Sequence, residues 1–269
     1  MTVRYEKSNH IAIFTLDNPK VNALTPPMHK EFYDHMQNFL TDTDMHVGIL
    51  TGAGKRAFCG GDDIKHDWNL PTLHDTLMAH FRPSKAEDAN RRPGWEREMR
   101  RFDRFKPIVA AINGPAMGMG FIYLMLHTDI RVVTPNATLG LPEIKYGMGG
   151  AGGSTQLWRH LPIPIAMSML LTGEPLSAED ALKFHLVNEI VEPERLMERA
   201  LEIAGKIAAL PPLAVSVEME AFYRSMELSR QDNMAYMNNL YRLQRAAYLT
   251  GENASNVPLA ENSPEQKQD

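Results

Sequence analysis

The sequence predicts an α/β fold whose C-terminal end is helical. Short apolar runs with β-branched residues, among them 108–112 and 130–133, alternate with helical segments through most of the chain. Beyond about residue 193 the pattern is helical only. Alternating strands and helices followed by helices alone favour an α/β core with a helical C-terminal segment.

We divide the 269-residue chain into a core over 1–195, a helical segment over 196–250 and a flexible polar tail over 251–269. A core of this size is stable without disulfides. The last helices carry apolar residues on more than one face, including Met234 and Leu243. A helix that is apolar nearly all round needs burial on both sides, which predicts an oligomer.

Composition excludes several classes of partner. The net charge of −5 disfavours nucleic acid, and no apolar run approaches the length of a membrane helix. The single cysteine, Cys59, excludes an internal disulfide and suits a reducing compartment. The N-terminus lacks the apolar region of a signal peptide. We therefore expect a cytoplasmic protein with no nucleic-acid and no membrane partner.

Local signals predict the elements before the central strand. Segments 3–6 and 11–16 flank Ser8-Asn9 and indicate a hairpin. Thr25 precedes two prolines and is predicted to cap a helix that runs to about Leu40. A further strand is predicted over 47–50.

Two predictions concern the stretch between residues 58 and 95. The glycine turn FCGGDDIK, residues 58–65, is expected to lead into a helix. Residues 67–95 are polar with little periodicity and are expected to form a mobile loop or lid. The histidines of this region, His66, His74 and His80, are expected to face solvent rather than to act in catalysis.

The stretch from Pro107 to Glu143 organises the chain. The strand over 108–112 is followed by a glycine-rich turn that ends in Gly118-Met119-Gly120 and opens a helix over 121–126. A helix start after such a turn exposes backbone N–H groups, which can hold an anion or a carbonyl oxygen that becomes one. Glu143 follows a rigid Leu141-Pro142 turn and supplies a carboxylate.

Two other functions of glycine-rich turns, dinucleotide binding and phosphate binding by a P-loop, do not match this sequence. Tyr123 stands where a dinucleotide fingerprint needs its third glycine, and Arg56 stands where a P-loop needs Ser or Thr. No spacing of histidine, cysteine or carboxylate residues predicts a metal site, and there is no Gly-x-Ser-x-Gly motif. We expect no metal and no separate cofactor.

Taken together and in order, the motifs resemble the crotonase superfamily, the enoyl-CoA hydratase and isomerase fold. The similar motifs are FCGGDDIK at 58–65, NGPAMGMG at 113–120, DIR at 129–131, Pro142-Glu143, GGSTQ at 152–156, and LTG at 171–173. The resemblance covers roughly residues 3–250. It implies repeated ββα units, C-terminal helices that build a homotrimer or a hexamer of paired trimers, and an acyl-CoA thioester as substrate.

The resemblance also implies site residues. The loop with Lys20, Asn22, Ala23 and Leu24, together with Asp63, Ile64 and Lys65, would bind coenzyme A. The backbone N–H groups of Asp62 and Met119 would form an oxyanion hole for the thioester enolate. Asp62 departs from the small residue that is usual there. We expect its carboxylate to cap the following helix; the alternative is that it points inward.

Glu143 aligns with one of the two catalytic glutamates of the family's hydratases, whereas Ile122 takes the place of the other. Isomerases of the family also keep one carboxylate and an apolar residue, so the resemblance favours double-bond isomerisation slightly over hydration. Ala151 stands where dienoyl isomerases and dehalogenases carry aspartate.

Three further functions remain open. Residues 141–147 and 227–236 resemble the hydroxycinnamoyl-CoA hydratase-lyases, for which Tyr236 is the nearest catalytic tyrosine, although the family's own position falls at Asn238. A β-diketone C–C hydrolase shares the enolate chemistry. The rival from another class is a module that binds acyl-CoA or RNA without catalysis.

Overall fold

The computed structural model describes residues 1–66, 72–90, 94–149 and 157–249. Within these ranges one sheet has six strands in the order β1-β2-β3-β4-β6-β9, and a second has three in the order β5-β7-β8. The strands are β1 (Thr2–Ser8), β2 (Ile11–Asp17), β3 (Val47–Gly52), β4 (Ile108–Ile112), β5 (Ala116–Met117), β6 (Ile130–Val133), β7 (Thr138–Gly140), β8 (Leu176–Ser177) and β9 (Glu189–Ile190).

Helices alternate with these strands and then continue alone. They are α1 (Pro26–Thr41), α2 (Leu73–His80), α3 (Trp95–Arg100), α4 (Met119–His127), α5 (Ile163–Thr172), α6 (Ala178–Lys183), α7 (Leu196–Ala208), α8 (Pro212–Ser225) and α9 (Arg230–Leu249). Short 3-10 turns lie at Ala86–Asn90, Pro142–Tyr146 and Pro193–Arg195. This is the mixed α/β architecture that the sequence predicts, with its helical C-terminal region.

The larger sheet is antiparallel only at its first pair. β1 and β2 form the predicted hairpin, and β2, β3, β4, β6 and β9 run parallel. Every residue of β3 and β4 is buried. Parallel strands covered on both faces are continuously apolar rather than alternating, which is why the run over 108–112 predicts a buried strand.

The chain divides into two compact units, Met1–Ala204 and the residues from Gly205 onward, with the boundary inside α7. In the second unit α8 and α9 contact each other. Among the described residues no single helix is long and apolar enough to cross a membrane. The segment Pro193–Ala208, which is α7 with the 3-10 turn before it, passes this test only when it is counted together with α8 as a bent pair.

Two local predictions are wrong. No helix begins over 63–66, the described residues after Asp62, because Leu24 forms an isolated parallel bridge with Asp62 and the Asp63 N–H donates to the Leu24 carbonyl at 2.8 Å. The segment predicted as a loop contains α2, which is capped by Thr72 accepting the Asp75 N–H. Residues 67–71 and 91–93 of that segment lie outside the described residues.

Helix α1 begins after Thr25 as predicted, and only the capping contact differs. Thr25 occupies the N-cap position of α1, but its side chain makes no capping hydrogen bond there. Two prolines in the first turn already lack N–H donors, so fewer groups need a cap.

Candidate active site

Three turns meet at one point. Two of them contain the glycines Gly61 and Gly118, and the third contains Glu143. A Cβ atom on Gly118 would lie 3.1 Å from Glu143 Oε1 and 3.7 Å from the Gly61 Cα. A Cβ on Gly61 would lie 3.5 Å from the Met119 backbone nitrogen. Both glycines have positive φ, +90° for Gly61 and +52° for Gly118. The turns therefore approach closely because neither position carries a side chain.

Helix α4 begins at this point, with Gly118 as its N-cap and Met119 as its first residue. Backbone N–H groups in the first turn of a helix have no partner within the helix. Gly118 is itself held in place, since its N–H donates to the Gly140 carbonyl at 3.0 Å. The start of α4 thus presents N–H donors next to a carboxylate.

Glu143 lies in the first turn of the 3-10 segment Pro142–Tyr146 and is half-buried. Its Oε2 atom is buried and makes no hydrogen bond to any described residue. Burial raises the pKa of the Glu143 carboxyl; its own backbone N–H opposes that effect, and the negative charge of Asp62 adds to it. A carboxyl group with a raised pKa, buried beside helix N–H donors, is suited to acid–base chemistry.

The Asp62 side chain does not cap a helix, so that expectation is wrong. Its Oδ1 atom lies 3.1 Å from Nε2 of His29, on α1. On the other side of the ring, His29 Nδ1 lies 2.6 Å from the Tyr123 hydroxyl, on α4. His29 and Tyr123 are fully buried, and no sequence pattern singled them out. Their contact joins helices that are far apart in the chain, which a local motif does not reveal.

The two segments predicted to bind coenzyme A are adjacent. Leu24 pairs with Asp62, and the Leu24 N–H donates to the Gly61 carbonyl at 2.8 Å. The Asn22 side chain is used within the loop, since its Nδ2 donates to the carbonyls of Ala53 and Ala57 at 3.0 and 2.9 Å. Ala23 and Asp63 are half-buried, whereas Lys20, Ile64 and Lys65 are exposed.

The remaining predicted residues are spread more widely. Ile122 is buried on α4. Tyr236 lies on α9 in the second unit, where its hydroxyl donates to Glu220. His74 and His80 are exposed as predicted and His66 is half-buried, while Ala151 lies outside the described residues. The described residues contain no cluster of three or more potential metal ligands.

Comparison with known proteins places the chain in a family. The family model described as "Enoyl-CoA hydratase/isomerase" matches residues 6–247. The chain is 35% identical over 247 residues to (E)-benzylidenesuccinyl-CoA hydratase from Thauera aromatica, covering 91% of each protein. It is 34% identical over 257 residues to carnitinyl-CoA dehydratase from Proteus mirabilis, covering 94% of this chain and 93% of that one.

Solved structures agree with this assignment. An enoyl-CoA hydratase/isomerase from Mycobacterium paratuberculosis has a TM-score of 0.78 at 28% identity, with 95% of this chain and 98% of that chain covered. A putative enoyl-CoA hydratase/isomerase from Mycobacterium abscessus has a TM-score of 0.75 at 30% identity, with 96% and 99% covered. The chain therefore belongs to the enoyl-CoA hydratase/isomerase family of the crotonase superfamily.

Proposed function

We propose that this protein catalyses the reversible addition of water to the double bond of a 2-enoyl-CoA thioester. The support from relatives is that those named above are a hydratase and a dehydratase of CoA thioesters. The support from the site is the Glu143 carboxyl, which is half-buried and lies beside the N-terminus of α4. The names of these relatives favour hydration over the isomerisation that the sequence motifs alone favour, whereas the Glu143 carboxyl suits either reaction.

In this mechanism the thioester oxygen accepts hydrogen bonds from the backbone N–H groups of Asp62 and Met119. Attack of water at C3 moves an electron pair through C2 to that oxygen, and the two donors stabilise the resulting enolate by several kcal/mol. Glu143 takes the proton that the attacking water loses. The same carboxyl group then delivers a proton to C2, so the group ends in its starting state.

The observation that carries the proposal is the contact geometry around Gly118. A Cβ atom there would lie 3.1 Å from Glu143 Oε1, so any larger residue would require the Glu143 carboxyl to shift. The same glycine approaches Gly61, whose neighbour Asp62 provides the other proposed donor. The short distances between these turns support a single site for the acid–base group and the N–H donors.

A second candidate is double-bond isomerisation from 3-enoyl-CoA to 2-enoyl-CoA. The observation that favours it is Ile122, a fully buried apolar residue on α4 at the position of the second hydratase glutamate. Isomerisation needs only one carboxyl group to move a proton from C2 to C4. An apolar wall also gives a water molecule fewer polar partners.

The test compares both activities in the native protein and in Glu143→Gln. We expect hydration to be the faster activity, and kcat to fall on the order of 10²–10⁴-fold in the variant with thioester affinity little changed. Glu198→Gln on α7, an exposed partner of Arg195, is the matched control. Near-native turnover by Glu143→Gln would contradict the role of this residue. Faster isomerisation would select the second candidate, and binding without turnover would favour a non-catalytic module.

A further inference from the structure

A chain of hydrogen bonds runs from the candidate site into the core. Asp62 Oδ1 lies 3.1 Å from His29 Nε2, and His29 Nδ1 lies 2.6 Å from the Tyr123 hydroxyl. Burial, followed by the charges of Asp62 and Glu96, raises the pKa of Tyr123 well above its usual range. The tyrosine therefore keeps its proton and can donate it to His29 Nδ1. This arrangement leaves the Nε2 proton to donate to Asp62.

This chain connects the segments that carry both proposed oxyanion donors. Asp62 is in the turn after Gly61, His29 is on α1, and Tyr123 is on α4, four residues after Met119. His29 and Tyr123 are 0% exposed, whereas the Asp62 side chain is 19% exposed. A polar group in so dry a place needs its partners, because a buried polar group without a hydrogen bond destabilises the folded state.

The two carboxyl groups of the site have unlike surroundings. The Asp62 carboxylate accepts the His29 N–H. Glu143 has a buried Oε2 without a partner among the described residues, and the Asp62 charge further disfavours ionisation of this group. Of two such carboxyl groups, the one with the raised pKa is the one suited to take up and return a proton near neutral pH.

We propose that Asp62, His29 and Tyr123 form a positioning chain that fixes the Asp62 carboxylate beside Glu143, so that Glu143 is the member of the pair that takes up the proton. The catalytic meaning of this pair rests on the proposed function. The positioning chain holds a second carboxyl group at the site, whereas the apolar Ile122 provides none. None of the three residues needs to touch the substrate with its side chain, because they act through Glu143.

Other titratable groups surround this chain. His127 packs against Tyr123 from the next turn of α4, with ring centroids 5.5 Å apart, and Glu96 and Arg100 on α3 act on Tyr123 with opposite charges. Cys59 stays neutral, since burial raises the pKa of its thiol to about 12. Asp62 is the only one of these groups whose charge contributes to the raised pKa of Glu143.

The direct test is a pH titration of Glu143. It is monitored by carboxyl ¹³C NMR of glutamate-labelled protein without substrate. The Glu143 signal is assigned as the one that is missing from Glu143→Gln. We expect Asp62→Asn to lower the pKa of Glu143, because it removes a nearby like charge. The low-pH limb of kcat/KM should move to lower pH by the same amount, since water loses its proton to ionised Glu143.

A second variant tests Tyr123, the buried end of the positioning chain. In Tyr123→Phe, His29 Nδ1 loses its donor, so the ring can turn its unprotonated nitrogen toward Asp62. We expect the pKa of Glu143 to fall and kcat to drop about tenfold at unchanged KM. Tyr33→Phe on α1 and Asp34→Asn, an exposed partner of Lys30, are the matched controls and should leave both quantities unchanged.

The outcomes separate the two proposals. A pKa of Glu143 that is the same in the native protein and Asp62→Asn would overturn the positioning chain, whatever the activity. The expected pKa shift without turnover of any CoA thioester would support the chain and contradict the proposed function. If Asp62→Asn does not fold, the NMR titration of Tyr123→Phe decides in the same way.

Discussion

At the scale of single residues, the site depends on a glycine that lacks a Cβ atom as much as on its side chains. Gly118 has a φ of +52° and faces Glu143 Oε1, whereas Gly54 has a φ of +76° and would place a Cβ in open space. Both conformations are strained for an L residue. Only one of these glycines adjoins the proposed reaction centre.

This contrast gives a prediction. Gly118→Ala should lower kcat by tenfold or more, because its methyl group would push the Glu143 carboxyl aside. Gly54→Ala should lose stability by roughly 1 kcal/mol through backbone strain and keep its activity. Thermal unfolding and turnover of an enoyl-CoA are measured for both variants. Equal activity losses would mean that backbone strain, and not the contact with Glu143, explains the effect.

At the scale of elements, the sequence predicts most where the determinants are local. β4 and β6 occupy the ranges that their apolar runs predict. The side-chain partner of Asp62 is not predictable in this way, because it is set by His29, which is 33 residues away in the chain. The same holds for His29 and Tyr123, whose helices meet only in the folded core.

Helix α4 carries a pH-dependent contribution to stability. Burial lowers the pKa of His127, its last residue, from 6.5 to about 3, with a smaller effect from Arg104. Between these values the unfolded chain binds a proton that the folded chain does not bind. Stability from this residue is therefore present above pH 6.5 and is lost as the pH falls toward about 3.

We predict that His127→Leu flattens the decrease of unfolding free energy with falling pH by about 1.4 kcal/mol per pH unit. Urea unfolding at several values between pH 6 and pH 4 measures this slope. His46→Gln, which changes a histidine that stacks on His10 outside the core, is the control. If the unfolding free energy falls equally steeply with pH in the native protein and in His127→Leu, the assignment of this proton to His127 is contradicted.

At the scale of the whole molecule, membership of the enoyl-CoA hydratase/isomerase family agrees with the resemblance inferred from ordered motifs. Each glycine turn alone is weak, and their order along the chain makes the pattern specific. The assembly remains a prediction. Large apolar side chains are exposed on the last helices of this single chain, with Phe222 60%, Met234 57%, Tyr241 62% and Leu243 70% exposed.

Burial of these side chains between copies predicts a trimer or a dimer of trimers. Leu243→Glu should weaken that assembly, because a buried charge without a partner is costly. Sedimentation at micromolar concentration measures both proteins, with Glu227→Gln, an exposed change that adds no charge, as the control. A native protein that sediments as a monomer would remove the prediction.

The central claim is that Glu143 exchanges protons at C2 while water adds at C3 of a CoA thioester. The most direct measurement is NMR of the product formed from a 2-enoyl-CoA in D₂O. The account predicts a hydroxyl group at C3 and one deuterium at C2 with the native protein, and formation of that product slowed by on the order of 10²-fold or more with Glu143→Gln. A product whose double bond has moved without a hydroxyl group, or equal rates for the two proteins, would contradict it.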